Sequence, residues 1–206
     1  MKEDSVGVGI FAEQDEGALA RVSYELAAKA RELADRLKTN AAAYLLGGIG
    51  IEQTAAELIA YGIDRVFVAE DQRLRHYDTL PYAKILVRLI RQTSPQAVLY
   101  GATAVGRDLA PRIASELRVG LTADCTSLEI GDYQAPGAGK LYHDILYQIR
   151  PAWGGNTIAT IVTPEHRPQM ATILCASHMP ARCWIAPEMP HAMYNFGRTV
   201  VPVWPT

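Results

Sequence analysis

The stretch of sequence that decides the fold runs from residue 96 to residue 130 and reads QAVLYGATAVGRDLAPRIASELRVGLTADCTSLEI. Its short apolar run, residues 97–100, ends at Gly101, and an apolar run bounded by turn residues predicts a buried parallel strand. After a turn from Gly101 to Gly106 comes an amphipathic helix, whose apolar stripe consists of Leu109, Ala110, Ile113, Ala114 and Leu117. From Leu121 to Thr126 apolar and polar residues alternate, as in a half-buried strand. The stretch predicts a strand–helix–strand unit with a crevice at its first turn.

The position of Pro111 leaves two starts for this helix. If Asp108 caps the helix, the proline lies in the first turn, where backbone N–H groups have no intrahelical partner. If Thr103 is the cap, Pro111 lies inside the helix and should kink it. Both starts are compatible with the apolar stripe.

Three more strand–helix pairs precede this unit. The predicted strands are Val6–Phe11, Ala42–Leu46 and Arg65–Ala69. The predicted helices are Ala18–Leu37, with Asp15 as its cap, Glu52–Ala60 and residues 81–92. The glycines of residues 47–50 are interpreted as a strand-to-helix turn, because no Lys-Ser/Thr pair follows them as in a nucleoside-triphosphate loop. Four such repeats predict an α/β fold, with a mainly parallel sheet and helices on both of its faces.

From residue 121 onward, strand-like runs follow one another without helices between them. These runs are Leu121–Ile130, Leu141–Ile149, Asn156–Val162 and Gln169–Cys175. They predict a small antiparallel β meander attached to the parallel sheet. We therefore expect one α/β domain over residues 1–175 and an atypical tail, rich in proline, methionine and tryptophan, over residues 176–206. The tail either packs on the domain, contacts a partner, or results from a lost reading frame.

Composition and charge argue against several classes of protein. With 49% apolar and 20% charged residues among 206, the chain has an ordinary globular composition. Its net charge of −2 gives no general attraction to nucleic acids or anionic membranes. Its three cysteines show no metal-ligand spacing, and we find neither a signal peptide nor an apolar run of the ~18–20 residues that a membrane span needs. We expect a cytoplasmic protein without membrane insertion, nucleic-acid partner or metal.

Four blocks of the chain, in their order and spacing, carry a specific resemblance. They are GATAVGRDLAPRIASEL (residues 101–117), GLTADCTSLEI (residues 120–130), IRPAWGGNTIATIV (residues 149–162) and HRPQMAT (residues 166–172). Together they resemble the α subunit of electron transfer flavoprotein, and the similarity covers roughly residues 5–174.

This resemblance implies a heterodimer with an electron transfer flavoprotein β subunit that carries electrons on FAD. The donor would be a dehydrogenase, of the acyl-CoA type as in fatty acid oxidation or of another type, and the acceptor a quinone-linked or other partner. In this family the α subunit continues into a second, FAD-binding domain, and this chain ends at Thr206 without one. We therefore expect a scaffold and partner surface rather than a catalyst, with FAD bound mainly outside this chain and AMP, where present, on the partner subunit.

Arg150 and the residues after it form the first candidate site. From the residues alone, Arg150 is equally compatible with a strand-end arginine that donates to local carbonyls. In the family, the Arg-Pro-x-x-Gly-Gly-Asn block faces the β subunit. The resemblance therefore implies that Arg150, with Gly154, Gly155 and Asn156, lies at the subunit interface and can reach flavin there.

The crevice after residue 100 is the second candidate site. Gly101, Thr103, Gly106 and Arg107 line it, at the position where open α/β sheets usually bind ligands. A helix N-terminus there could hold the phosphate of ATP or AMP, as in a free-standing nucleotide-binding module resembling universal stress proteins. The alternative, which the resemblance favours, is a structural turn with a vestigial pocket. No arrangement of residues indicates a catalytic group.

Overall fold

A computed structural model describes residues 6–137, 139–152 and 158–174, together with the backbone of residues 199–200. Its main sheet is wholly parallel. In spatial order the strands are β12 (Thr199–Val200), β5 (Arg65–Glu70), β4 (Ala41–Gly47), β1 (Val8–Ala12), β6 (Ala97–Gly101), β11 (Gln169–Ile173) and β7 (Leu121–Cys125). The two-residue strand β12, which belongs to the predicted tail, pairs with Phe67 and Val68 of β5.

Helices cover both faces of this sheet, which confirms the predicted α/β fold. The helices are α1 (Arg21–Arg36), α2 (Ala55–Ala60), α3 (Thr79–Thr93) and α4 (Ala104–Leu117), with short 3-10 turns at Ile51–Thr54 and Gln72–Leu74. Successive strand residues point to opposite faces. In β4, for example, Leu45 belongs to the core under α1 and α2, whereas Tyr44 and Leu46 belong to the core under α3 and α4.

Helix α1 begins later than the sequence predicts. Asp15 is not its cap, because it lies in a two-residue hairpin in which β2 (Gln14–Asp15) pairs with β3 (Ala18–Leu19). The hairpin turns at Glu16 and Gly17, both with positive φ. The helix then starts at Arg21, with Ala20 in the cap position and no side-chain cap. The hairpin consumes the residues that the helical pattern had claimed.

The antiparallel meander is smaller than the sequence predicts. It contains only β8 (Ser127–Gln134), β9 (Leu141–Pro151) and β10 (Ile158–Ile161), in the order β10-β9-β8. The run predicted as its last strand, Gln169–Cys175, contributes β11 to the parallel sheet between β6 and β7 instead. All five residues of β11 are buried. A strand covered on both faces belongs in the middle of a parallel sheet, and an apolar run does not reveal the direction of its neighbours.

The antiparallel sheet lies on the same face of the main sheet as α1. Leu128 of β8 and Leu146 of β9 belong to the core that also contains Leu26 of α1 and Ala171 of β11. We call the side of the antiparallel sheet that carries Leu128 and Leu146 its inner face. This packing attaches the strand that bears Arg150 to the edge of the parallel sheet.

The structure also selects between the two starts of the helix after β6. Thr103 is the N-cap, since its side-chain oxygen accepts from the backbone N–H of Gly106 at 3.0 Å. Pro111 therefore lies inside α4, where it removes one backbone hydrogen bond. Leu109, Ala110 and Ile113 are buried, as their helical spacing predicts.

Candidate functional site

The crevice of this fold lies where the strand order reverses. From β1 the chain proceeds through β4 and β5 on one side, and places β6, β11 and β7 on the other. In open α/β sheets, ligands bind at this switch point beyond the carboxyl ends of the strands. The segment after β1, which begins at Glu13, and the segment after β6, which ends at Thr103, border the crevice.

The side chain of Glu13 closes this crevice from within the chain. The Thr103 hydroxyl donates to Oε2 of Glu13 at 2.6 Å, while it accepts from the N–H of Gly106 in the first turn of α4. The backbone carbonyl of Glu13 accepts from the Ser23 hydroxyl at 2.7 Å, which fixes the segment. A helix N-terminus favours a negative charge. Here the protein's own carboxylate meets that preference, at the position where a nucleotide phosphate would bind.

The two glycines of the crevice are required by packing inside the chain. A Cβ on Gly101 would lie 2.5 Å from Cγ2 of Val22, and a Cβ on Gly106 would lie 1.9 Å from the carbonyl oxygen of Gly101. Their small size therefore lets α1 and α4 approach β6. The glycines are explained without a ligand.

Arg107 is directed toward the end of β7. Its Nε and Nη2 both lie 3.1 Å from Oδ1 of Asp124. Asp124 has a left-handed backbone, with φ of 59°, and its N–H donates to the hydroxyl of Thr172 at 2.8 Å. The arginine thus forms a half-exposed ion pair between α4 and β7. Such a pair contributes little to stability, and it occupies the guanidinium that the sequence placed in the crevice.

Burial raises the pKa of the Glu13 carboxyl above its ordinary value of 4.5, and the hydrogen bond from Thr103 acts in the opposite direction. The folded protein therefore binds this proton more tightly than the unfolded chain, so ionisation of Glu13 lowers stability as the pH rises above 4.5. We expect Glu13→Gln to stabilise the protein at pH 7 and to have no such effect at pH 4. Denaturation of both proteins across this range measures the difference.

The exposed Glu16 of the neighbouring hairpin provides a matched control for that experiment. Glu16→Gln should change stability equally at both pH values. If the Glu13→Gln effect is also independent of pH, the carboxyl of Glu13 is not destabilised by its burial.

Arg150 lies near the end of β9, in register with Ala159 of β10. It is half-buried, and in the part of the chain that the structure describes it makes no hydrogen bond or ion pair. Its alternation with Leu146 places it on the inner face, and its charge acts on the thiol of Cys125. Gly154, Gly155 and Asn156, predicted to share its site, lie outside the described residues.

Cys125 is a buried thiol at the end of β7. Burial raises its pKa to about 12, the Arg150 guanidinium acts to lower it, and Asp124 acts to raise it. The thiolate is the reactive form of cysteine. At neutral pH this side chain is therefore a protonated core residue rather than a nucleophile or metal ligand.

Within residues 6–137, 139–152 and 158–174, no group of three His, Cys, Asp or Glu side chains is placed to hold a metal ion. His143 instead bonds to the exposed carboxylate of Asp132 at 2.9 Å. Over the same part of the chain, no helix has the length and apolar character that crossing a bilayer requires.

Glu13 is the one site residue that sequence reasoning missed. It lies 90 positions before Thr103, its hydrogen-bond partner, in a turn that carries no recognisable motif. The available signal was its place directly after β1, because the segments after the two central strands of a doubly wound sheet meet at the switch point.

Fold and site together define an α/β domain of the nucleotide-binding architecture whose switch-point crevice is closed by its own side chains. A family model described as "Electron transfer flavoprotein domain" matches residues 8–192. The chain belongs to the electron transfer flavoprotein family, as its resemblance in sequence had indicated.

Curated relatives agree with this assignment. The chain is 45% identical over 172 residues to the electron transfer flavoprotein subunit alpha of Clostridium acetobutylicum, a match that covers 84% of the chain and 48% of the relative. It is 45% identical over 170 residues to the protein of the same name from Thermoanaerobacterium thermosaccharolyticum, with 82% and 48% covered. It is also 43% identical over 167 residues to the LctC subunit of lactate dehydrogenase (NAD(+),ferredoxin) of Acetobacterium woodii, with 81% and 37% covered. The chain thus spans about half the length of the first two relatives, and less of the third.

Proposed function

We propose that this chain serves as the N-terminal α/β part of an electron transfer flavoprotein α subunit. In this role it is a scaffold and partner surface in FAD-mediated electron transfer between a dehydrogenase and an acceptor. The family match over residues 8–192 carries the proposal. The domain boundary near residue 175 and the tail that follows it belong to the same proposal.

The chemistry of the described residues supports a scaffold rather than a catalyst. Cys125 is a buried, protonated thiol, Arg107 is paired with Asp124, and the crevice is filled by Glu13. Electron transfer needs no general acid, base or nucleophile from the protein that orients the cofactor. The chain's own part is to hold a flavin-bearing partner or domain in position.

We assign FAD mainly to positions outside this chain, and AMP, where the complex contains it, to the partner subunit. The contact between Glu13 and Thr103 supports this assignment, because it places a carboxylate where a nucleotide phosphate would need hydrogen-bond donors. Two anions repel each other, so phosphate binding there would require Glu13 to move or to be protonated. The same contact disfavours the alternative of a free-standing nucleotide-binding module that resembles universal stress proteins.

The partner that we propose is an electron transfer flavoprotein β subunit, and the redox donor is an acyl-CoA-type or other dehydrogenase. Co-expression of the full chain with a β subunit from the same genome tests the first part. We expect the two proteins to elute together at a 1:1 ratio. Elution of the chain alone as a homo-oligomer with one equivalent of AMP or ATP would contradict the proposal and support the alternative.

Arg150 is the residue of this chain that we propose for the contact with the β subunit or its flavin, together with Gly154, Gly155 and Asn156. Arg150 is half-buried and has no described partner, although a guanidinium offers a planar fork of donors that suits a flavin carbonyl or a phosphate. Lysine keeps the charge and loses the fork. We expect Arg150→Lys to weaken β-subunit binding by roughly 10- to 150-fold, since a charge-assisted hydrogen bond contributes ~1.5–3 kcal/mol. Titration with the β subunit measures this.

Arg88→Lys is the matched control, because Arg88 is exposed on α3, on the face opposite the antiparallel sheet. This variant should bind the β subunit as the natural chain does. If Arg150→Lys leaves both binding and the flavin potential unchanged but lowers the melting temperature, Arg150 only braces the end of its strand.

A further inference from the structure

Four buried polar atoms lie without a protein partner where the two sheets meet. Within the part of the chain that the structure describes, they are Oε1 and Nε2 of Gln148, Nε2 of Gln169 and Oγ1 of Thr163. The exposed fraction is 0% for Gln148 and 1% for Gln169. Buried amides nearly always have hydrogen-bond partners, so three unpaired amide atoms in one layer of a fold need an explanation.

Both glutamines point into the contact between the sheets. Gln148 alternates with Leu146 along β9 and lies opposite Leu128 of β8, so it shares the inner face with these two core residues. Gln169 alternates with Ala171 along β11, and Ala171 belongs to the same core. The two side chains therefore approach each other from opposite sheets.

Leu146 places these polar groups within a short distance of one another. Its backbone N–H donates to Oε1 of Gln169 at 3.1 Å. Gln148 follows two residues later, about 7 Å along the strand. The pairing of β9 with β10 ends at Gln148 and Ile161, so Thr163 stands at the continued register of Leu146. All three side chains thus surround the same backbone position, where a β ladder has stopped.

We propose that ordered water molecules bind in this polar seam, defined by Gln148, Thr163 and Gln169, and bridge the two sheets. An unpaired buried donor or acceptor costs about 1–3 kcal/mol, which a bridging water recovers. Globular proteins hold about one buried water per ~27 residues, and each makes about three hydrogen bonds. Water suits the seam better than an ion, because Gln148 presents a donor and an acceptor and none of the three side chains is charged.

The seam has a consequence for the position of Arg150. Arg150 lies two residues after Gln148 on the same inner face of β9. Water-mediated contacts are nearly as favourable as direct hydrogen bonds, so the water would fix the strand that bears the guanidinium. The inference itself does not depend on the proposed electron-transfer role, because it concerns only contacts between the two sheets.

Oxygen-17 magnetic relaxation dispersion of water in a solution of the full chain tests the proposal, because its amplitude counts long-lived internal water molecules. We expect Gln148→Met, which preserves the length and removes the amide, to lower that count by about one. The control is Gln134→Met, at an exposed glutamine of β8, which should leave the count unchanged. Equal counts in the natural chain and in folded Gln148→Met would overturn the proposal.

A second variant and a second measurement keep the test decisive. If Gln148→Met does not fold, Gln169→Met should lower the same count. A crystal structure of the natural chain provides the independent readout, with density expected about 2.7–3.2 Å from Nε2 of Gln169 and from either amide atom of Gln148. A direct hydrogen bond between the two amides, with no density between them, would overturn the proposal whatever the variants do.

Discussion

Leu109→Ala should lower the free energy of unfolding by about 2–5 kcal/mol, which is the usual cost of truncating a leucine in a core. Leu109 is 0% exposed and belongs to the core under α3 and α4. It lies on α4 one turn before Ile113, which is also fully buried. Truncation would open a cavity between α4 and the sheet. Chemical denaturation followed by circular dichroism measures the loss.

Leu80→Ala is the matched control for that experiment. Leu80 lies in the first turn of α3 and is 60% exposed, so its truncation should cost no more than about 0.5 kcal/mol. A loss near zero for Leu109→Ala would mean that α4 presents a different face to the sheet from the one its sequence indicates.

The strand–helix organisation of this chain was predictable because it rests on local patterns. The buried stripe of α4 and the apolar run of β6 are written in the spacing of neighbouring residues. Burial on both faces, which makes the parallel strands nearly continuous apolar runs, follows from the same physics. These features needed no knowledge of distant contacts.

The features that escaped prediction depend on distant contacts. The apolar run of β11 is as suitable for an antiparallel meander as for the place it takes between β6 and β7. Asp15 satisfies the rules for a helix cap, and only the pairing of β2 with β3 excludes it from that role. The closure of the crevice needs Glu13, which approaches Thr103 only after β1 and β6 have paired. Pattern fixes the elements, whereas tertiary pairing decides their neighbours.

Gly106→Ala should destabilise the protein, although the same change in an exposed helix adds up to about 1 kcal/mol of stability. A Cβ at position 106 would lie 1.9 Å from the carbonyl oxygen of Gly101 and 3.0 Å from its carbonyl carbon. Both are backbone atoms of β6, which cannot rotate away as a side chain can. Helix α4 must therefore shift, and overpacking of this kind costs about 1–3 kcal/mol, occasionally more.

The shift should also disturb the closed crevice, which separates this prediction from a general loss of packing. The N–H of Gly106 donates to the Thr103 hydroxyl, which in turn donates to Glu13, so moving α4 stretches both hydrogen bonds. Denaturation measures the stability, and amide hydrogen exchange at Gly106 should become faster. Gly48→Ala is the control, because its nearest neighbour is the flexible side chain of Arg75 at 3.2 Å, and it should cost no more than about 0.5 kcal/mol. A Gly106→Ala protein as stable as the natural chain, with unchanged exchange, would show that the approach of α4 to β6 is looser than its glycines require.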